Sequence, residues 1–321
     1  MANASSSTNA PPLGKYLAAT DKKTRDKAIK SLSTFLSDPS RDTLPESEMA
    51  KLWKGIFYCF WMSDKPLVQQ ALASELAEIL LTISTASSSL AFLCGFWEAT
   101  VREWNSIDRL RIDKYYMLVR RFVNASFRLL MKTGWDSASC AEYNTILTHR
   151  GGPLCPDDIR VPASLAYHLA DIYLEELDKA LSSPLNSSPA PAPLSTLSTP
   201  FFTLAARTPS NASYQRIQSA FLEPLFSAFE SPRDIDEPPL RKRPRLSSPI
   251  YENIVVNACI SNPKSEGVMA GPELRKALLK CMFEIASEQD TRDANRRKLY
   301  NLWKSKLEDD GDGGDTAIDA S

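Results

Sequence analysis

The chain is poor in the residues that most catalytic and metal centres are built from. Its 321 residues include two histidines, His149 and His168, and six cysteines, none in a C-x-x-C pair. Zinc sites draw on closely spaced Cys and His, so this composition argues against one. Cys59, Cys94, Cys140, Cys155, Cys259 and Cys281 read as free thiols of a reducing compartment. Glycine is scarce, 11 residues against 22 prolines, which suits long helices interrupted by Pro-rich joints. No run of about 18 apolar residues occurs, so no membrane span is expected. The first ten residues lack a secretory apolar core. The formal net charge is −1, so total charge selects no partner and the placement of the charges matters instead.

What is present is helical periodicity. Ala28, Ile29, Leu32, Phe35 and Leu36 share a face after a cap at Thr20 or Asp21. Met49, Leu52, Trp53, Ile56, Phe57 and Phe60 follow the 3.6-residue period behind Pro45. Further helices are expected from Pro66, from Leu90, over Ile107–Lys132 with Ser106 as cap and Gly134 as stop, over Trp135–Thr148, and from Pro162. Beyond them, Phe201–Arg207, Tyr214–Phe229, Pro272–Ser287 and Thr291–Lys306 read as helical, and Tyr251–Ile260 reads as helix or strand. Helix pairs recur at about 40 residues, which predicts an all-α, helical-repeat-like fold of HEAT or armadillo type, with an irregular helical bundle as the alternative. The expected organisation is a disordered N-terminus (1–12), a helical core domain (13–181) and a Pro/Ser linker (182–200). A C-terminal helical region (201–307) containing a basic loop (231–249) and an acidic disordered tail (308–321) follow.

Two stretches stand out. Trp53 to Trp61 holds five aromatic residues in nine positions. Arg102 to Tyr116 interleaves acids, bases and aromatics. The words Lys51-Leu52-Trp53-Lys54-Gly55, Trp61-Met62-Ser63-Asp64-Lys65-Pro66, Arg102-Glu103-Trp104, Ile107-Asp108-Arg109-Leu110-Arg111 and Asp113-Lys114 with Tyr116 resemble the ribosomal RNA-processing protein 1 family, also called the nucleolar fifty-two-kilodalton protein family. Asp171-Ile172-Tyr173-Leu174-Glu175-Glu176-Leu177 and Arg296-Arg297-Lys298-Leu299-Tyr300 before Leu302-Trp303 also fit. The resemblance implies a non-enzymatic nucleolar assembly factor of the large ribosomal subunit. It implies a place in early precursor particles, among other assembly factors and pre-rRNA, and a need for processing around the spacer between the 5.8S and large-subunit RNAs. Some members carry a long basic C-terminal extension that the acidic tail here does not match, so nothing those extensions bind is carried over.

The residues themselves assign no catalytic, metal or cofactor site. Glu103, Asp108 and Asp113 have bases three to six positions away, which reads as a salt-bridge network rather than acid/base catalysis. Asp171, Glu175, Glu176 and Asp178 form an acidic helix end without acids from other elements to complete a two-metal site. His168 reads as a half-buried histidine beside an apolar stripe. The RNA-contact candidates are bases. Lys114, Arg121, Arg128 and Lys132 share a helix face, and Arg292, Arg296, Arg297 and Lys298 lie on the last helix, where six bases stand against two acids between Asp290 and Lys306. On that helix Trp303 is expected as an anchor, with Leu299, Leu302 and Leu307. Tyr58 and Trp61 break their apolar stripe and are partner-surface candidates. Arg241, Lys242, Arg243 and Arg245, on a Pro-flanked loop, are the cluster expected to engage a nuclear-import receptor. Against the scaffold stand two rivals, a nuclear helical-repeat adaptor that binds only peptides, and a nuclease.

Overall fold

Helix starts fall where the chain supplies an acceptor side chain or a proline. The computed structural model describes residues 13–17, 19–38, 44–182, 189–230 and 251–311. After α1 (Leu13–Leu17), the Asp21 carboxylate accepts Thr24 N–H and opens α2 (Lys22–Leu36). Pro45 precedes α3 (Glu46–Trp61), Pro66 occupies the first turn of α4 (Pro66–Thr82), and Thr85 caps α5 (Ala86–Glu103). Next come α6 (Ile112–Lys132), α7 (Ser137–Thr148) capped by Asp136, α8 (Ala163–Leu181) and α9 (Leu194–Arg207). The remaining helices are α10 (Asn211–Ile217), α11 (Glu223–Ser227), α12 (Glu252–Val256), α13 (Pro263–Glu266), α14 (Gly271–Ser287) and α15 (Asp293–Gly311). One short parallel pair, β1 (Ala192–Pro193) with β2 (Ala258–Cys259), is the strand content among the described residues.

The architecture is all-α and of helical-repeat type. The chain falls into two compact units, 1–125 and 126–321, divided within α6. In the first unit α3 packs on α1 and α5, and α2 packs on α1 and α4. Contact with both the next helix and the next but one is how stacked helical pairs bury a continuous core. Trp53 is its centre. Its rings lie 4.5 Å from Phe92, 5.4 Å from Phe96 and 5.7 Å from Phe122, and its indole N–H donates to Phe92 O at 2.9 Å. The indole rests on Gly95, where a Cβ would stand 2.4 Å from Trp53 Cδ1.

In the second unit α9 packs on α7, α14 and α15, and α8 on α10 and α12. Tyr173 holds its centre, 4.9 Å from Phe127 and 4.8 Å from Phe201, with its hydroxyl donating to Leu197 O at 3.0 Å. Tyr251–Ile260 is both of the things its sequence allowed, a helical turn and then a strand.

Four expectations are corrected. The helix expected from Ile107 begins at Ile112, because Asp108 turns its carboxylate onto Leu110 N–H and Arg111 N–H and holds 108–111 as a turn. Ser106 sits in a 3-10 turn instead of capping. The linker read over 182–200 is shorter. Residues 189–193 are a strap fixed by the Ala192 N–H, which donates to Asn257 O, and otherwise through its carbonyls, since Pro189, Pro191 and Pro193 have no N–H to donate. Asn257 Nδ2 donates to Pro189 O, and Trp135 Nε1 to Ala190 O. Residues 194–200 then form the buried first half of α9. Pro200 leaves Thr196 O without its helical donor, and Asn144 Nδ2 supplies one at 2.7 Å. The tail read from 308 is helical as far as Gly311. The expected N-terminal segment 1–12 and the rest of the tail lie outside the described residues.

Candidate functional site

The two aromatic and charged words meet at the end of α3. Its last carbonyls have no helical donor, as at any helix C-terminus. Lys114, at the start of α6, fills the gap. Its ammonium donates to Trp61 O at 2.7 Å and to Ser63 O at 2.9 Å, above the Phe60 ring. Tyr115, next in the chain, donates to Phe57 O at 3.2 Å and stacks on Phe57 at 4.9 Å. The Arg111 guanidinium lies 4.8 Å over the Trp61 ring and pairs with Asp108. Three residues from a distant word thus close the end of the first one.

This removes Lys114 from the RNA-contact candidates. It is 6% exposed, and burial pushes its ammonium down to a pKa of about 8, with Asp64 pulling the other way. The face it shares with Arg121, Arg128 and Lys132 is therefore not one basic stripe. Arg121 is exposed, Arg128 half-buried and Lys132 exposed, and the last two already hold interactions within the chain.

The last helix is corrected in the same way. Arg296 donates to Ala286 O, Glu288 O and Thr291 O and pairs with Asp293, closing the C-terminus of α14. Arg292 Nε donates to Arg207 O at 2.8 Å. Lys298 reaches Asn211 Oδ1 at 2.6 Å and lies over the Tyr214 ring. Arg297 remains exposed, and among the described residues it makes no ion pair. Trp303 is half-buried, with its ring 4.8 Å from Phe283, while Leu299 and Leu302 are buried.

The acids of α8 are engaged too. Asp171 pairs with Arg216 at 2.5 Å, and Glu175 and Glu176 share Lys179. Asp178 accepts Asn253 N–H, Ile254 N–H and Asn253 Nδ2, which caps α12 from outside that helix. At the end of α5 Arg102 pairs with Glu103, and in the turn before α6 Arg111 pairs with Asp108. His168 is half-buried.

Among what this framework presents to solvent, beside exposed Arg102 and Arg109, are aromatic and apolar side chains. Tyr58 is 44% exposed and Trp61 half-exposed beneath Arg111. Leu110 is 92% exposed at the tip of the turn that Asp108 locks, beside exposed Arg109. Leu110 escaped the sequence reading because its word looked helical, and a helical leucine would have been assigned to the core. The signal was the Asp at 108, two residues before the N–H it accepts. Arg241, Lys242, Arg243 and Arg245 lie outside the described residues.

A family model described as nucleolar protein, Nop52, matches residues 8–303. The chain is 38% identical over 166 residues to the human ribosomal RNA processing protein 1 homolog B, covering 51% of this chain and 22% of that protein. It is 29% identical over 329 residues to the human homolog A, covering 92% of this chain and 70% of that protein. A relative in Dictyostelium discoideum, a ribosomal RNA processing protein 1 homolog, is 24% identical over 305 residues, 90% of this chain and 57% of its own length.

Proposed function

This chain belongs to the Nop52 family of nucleolar proteins, and from that premise we propose that it is a non-enzymatic assembly factor of the large ribosomal subunit precursor. In this reading it is a helical scaffold that binds other assembly factors and pre-rRNA and holds the precursor in a shape its processing requires. The observation that supports a binding role is the use of the family's words. Lys114, Tyr115 and Arg111 are occupied in closing the end of α3 and Asp108 in holding the turn before α6, and among the side chains left outward are Tyr58, Trp61 and Leu110. Aromatic residues and arginine over an apolar patch are typical of protein-binding hot spots. We assign these outward side chains to contact with another assembly factor, and Arg241, Lys242, Arg243 and Arg245 to an import receptor.

The test is affinity purification of the tagged chain with sequencing of the bound RNA. Recovery of large-subunit precursors supports the scaffold, whereas peptide partners without RNA support the adaptor. A second arm carries Tyr58→Ala with Leu110→Ser, and it should lose co-purifying assembly factors while its unfolding temperature stays close to wild type. Purified protein should leave precursor RNA uncut with or without magnesium. Cleavage that disappears on Asp171→Asn or Glu175→Gln would establish the nuclease instead.

A further inference from the structure

We infer that the outward face of α2, carrying Lys23, Lys27 and Lys30, is a surface that contacts RNA phosphates. The inference rests on the proposed pre-rRNA role and places the contact on a helix other than the two that the sequence singled out.

The acids of this segment are already occupied. Asp21 accepts from Thr24 N–H at 2.9 Å and from Thr24 Oγ1 at 2.7 Å, and Asp26 pairs with Lys22 at 2.6 Å. Arg25 is buried, its guanidinium donating to Ala19 O and Thr20 O. Lys23, Lys27 and Lys30 are left exposed at i, i+4 and i+7, which is one helix face. Ser31 and Thr34 are exposed along it, and Lys15 of α1, the helix packed on α2, is exposed as well. Ala28, Ile29 and Leu32 anchor the opposite face in the core.

A bare solvated face is the alternative, and exposed lysines on the other helices are of two kinds: some, such as Lys54 and Lys276, stand singly with no ion pair among the described residues, unlike the row of three on α2, and others are paired. Lys51 pairs with Glu48, Lys179 with Glu175, Lys280 with Glu284 and Lys304 with Glu308, each one helical turn away. On α2 only Lys22 follows that habit. The facing acid on α4 is Glu75, whose carboxyl is held above the usual range by burial and by Asp26, with Lys30 and Lys22 acting against that. Glu75 thus acts on Lys22, Asp26 and Lys30, so Lys30 marks the border of the outward face, and Lys23 and Lys27 lie beyond the reach of that acid. Structured RNA keeps its base edges in a deep, narrow major groove, so a row of lysines and hydroxyls laid on it meets phosphates. The ligand it fits is the backbone of structured RNA, bound without sequence preference.

The test uses the full chain, wild type against Lys23→Glu/Lys27→Glu/Lys30→Glu, and fluorescence anisotropy with two RNA duplexes of equal length and unrelated sequence. The wild type should bind both alike. The triple variant should lose at least about tenfold in affinity at low salt, and its log–log salt slope should be shallower by about 2 to 3. A Lys→Arg triple variant should retain binding, and all three proteins should melt alike. Affinity and slope unchanged in the Glu variant would overturn the inference while leaving the scaffold reading standing, with RNA held elsewhere. Wild type that binds poly-glutamate as tightly as RNA would also overturn it, and would give the face to an acidic protein. Failure of the tagged chain to recover large-subunit precursors would instead sink the underlying reading.

Discussion

Gly95 and Lys114 carry the close packing of the first unit between them. At Gly95 a methyl group would enter the Trp53 indole and also come within 2.8 Å of Met49 Cγ. Gly95→Ala should therefore destabilise the protein by about 1–3 kcal/mol even though alanine is the better helix former, because overpacking outweighs propensity here. Chemical denaturation followed by tryptophan fluorescence measures it, and an unchanged midpoint would mean the indole moves aside freely. Lys114 makes a prediction in pH. Burial holds its pKa at about 8 in the folded chain against 10.5 when free. Between those values the unfolded chain binds the proton and the folded chain does not, so stability rises with pH across that window. Below it this contribution is flat. Lys114→Met should lack the rise, and the stability difference between wild type and variant, measured at pH 7 to 10, should shift in favour of wild type as pH increases.

Among the elements, α9 shows how a proline is kept inside a helix. Thr196 O has lost the donor that residue 200 would have provided, and Asn144 of α7 replaces it. Asn144→Ala should cost about 1 kcal/mol, the scale of a part-buried hydrogen bond lost. In a Pro200→Ala background the helix regains its own N–H, so the same Asn144→Ala change should cost less. A double-mutant cycle by thermal unfolding reads the coupling, and strict additivity would show that Asn144 does not compensate for the proline. A related adjustment precedes Pro224, where residues 218–222 widen into a π turn before α11.

At the scale of the molecule, location and assembly are the tests. The cluster of Arg241, Lys242, Arg243 and Arg245 is dense enough for import-receptor recognition. Replacing all four by Ala should move a fluorescent fusion from the nucleolus toward the cytoplasm. Persistence of the nucleolar signal would mean that the chain enters by another signal or on a partner. Ser247 and Ser248 adjoin the cluster, so phosphate there, adding about −1.5 to −2 charge per site, should shift the fusion in the same direction. Because the chain spans 22% of the length of the human homolog B, activities of the longer protein are tested with that protein, and those of this chain with its own two units.

The chain by itself determined where most helices begin and which faces they bury. Capping side chains, prolines at first turns and the 3.6-residue spacing of Trp53, Ile56 and Phe60 are local signals, and local signals survive without neighbours. Long tryptophan-rich words also sufficed for the family. Tertiary structure alone decided the rest, because it concerns partners distant in sequence. Lys114 and Arg296 look like surface charges until the helix ends whose carbonyls they satisfy are beside them. The stretch 189–200 looks like a linker because proline marks loops, and only Trp135, Asn257 and Asn144 turn its carbonyls into a strap and a buried helix. Whether a base faces solvent depends on which carbonyls and acids lie within a few ångströms, and the spacing of charges along one helix registers only the acids of its own neighbouring turns.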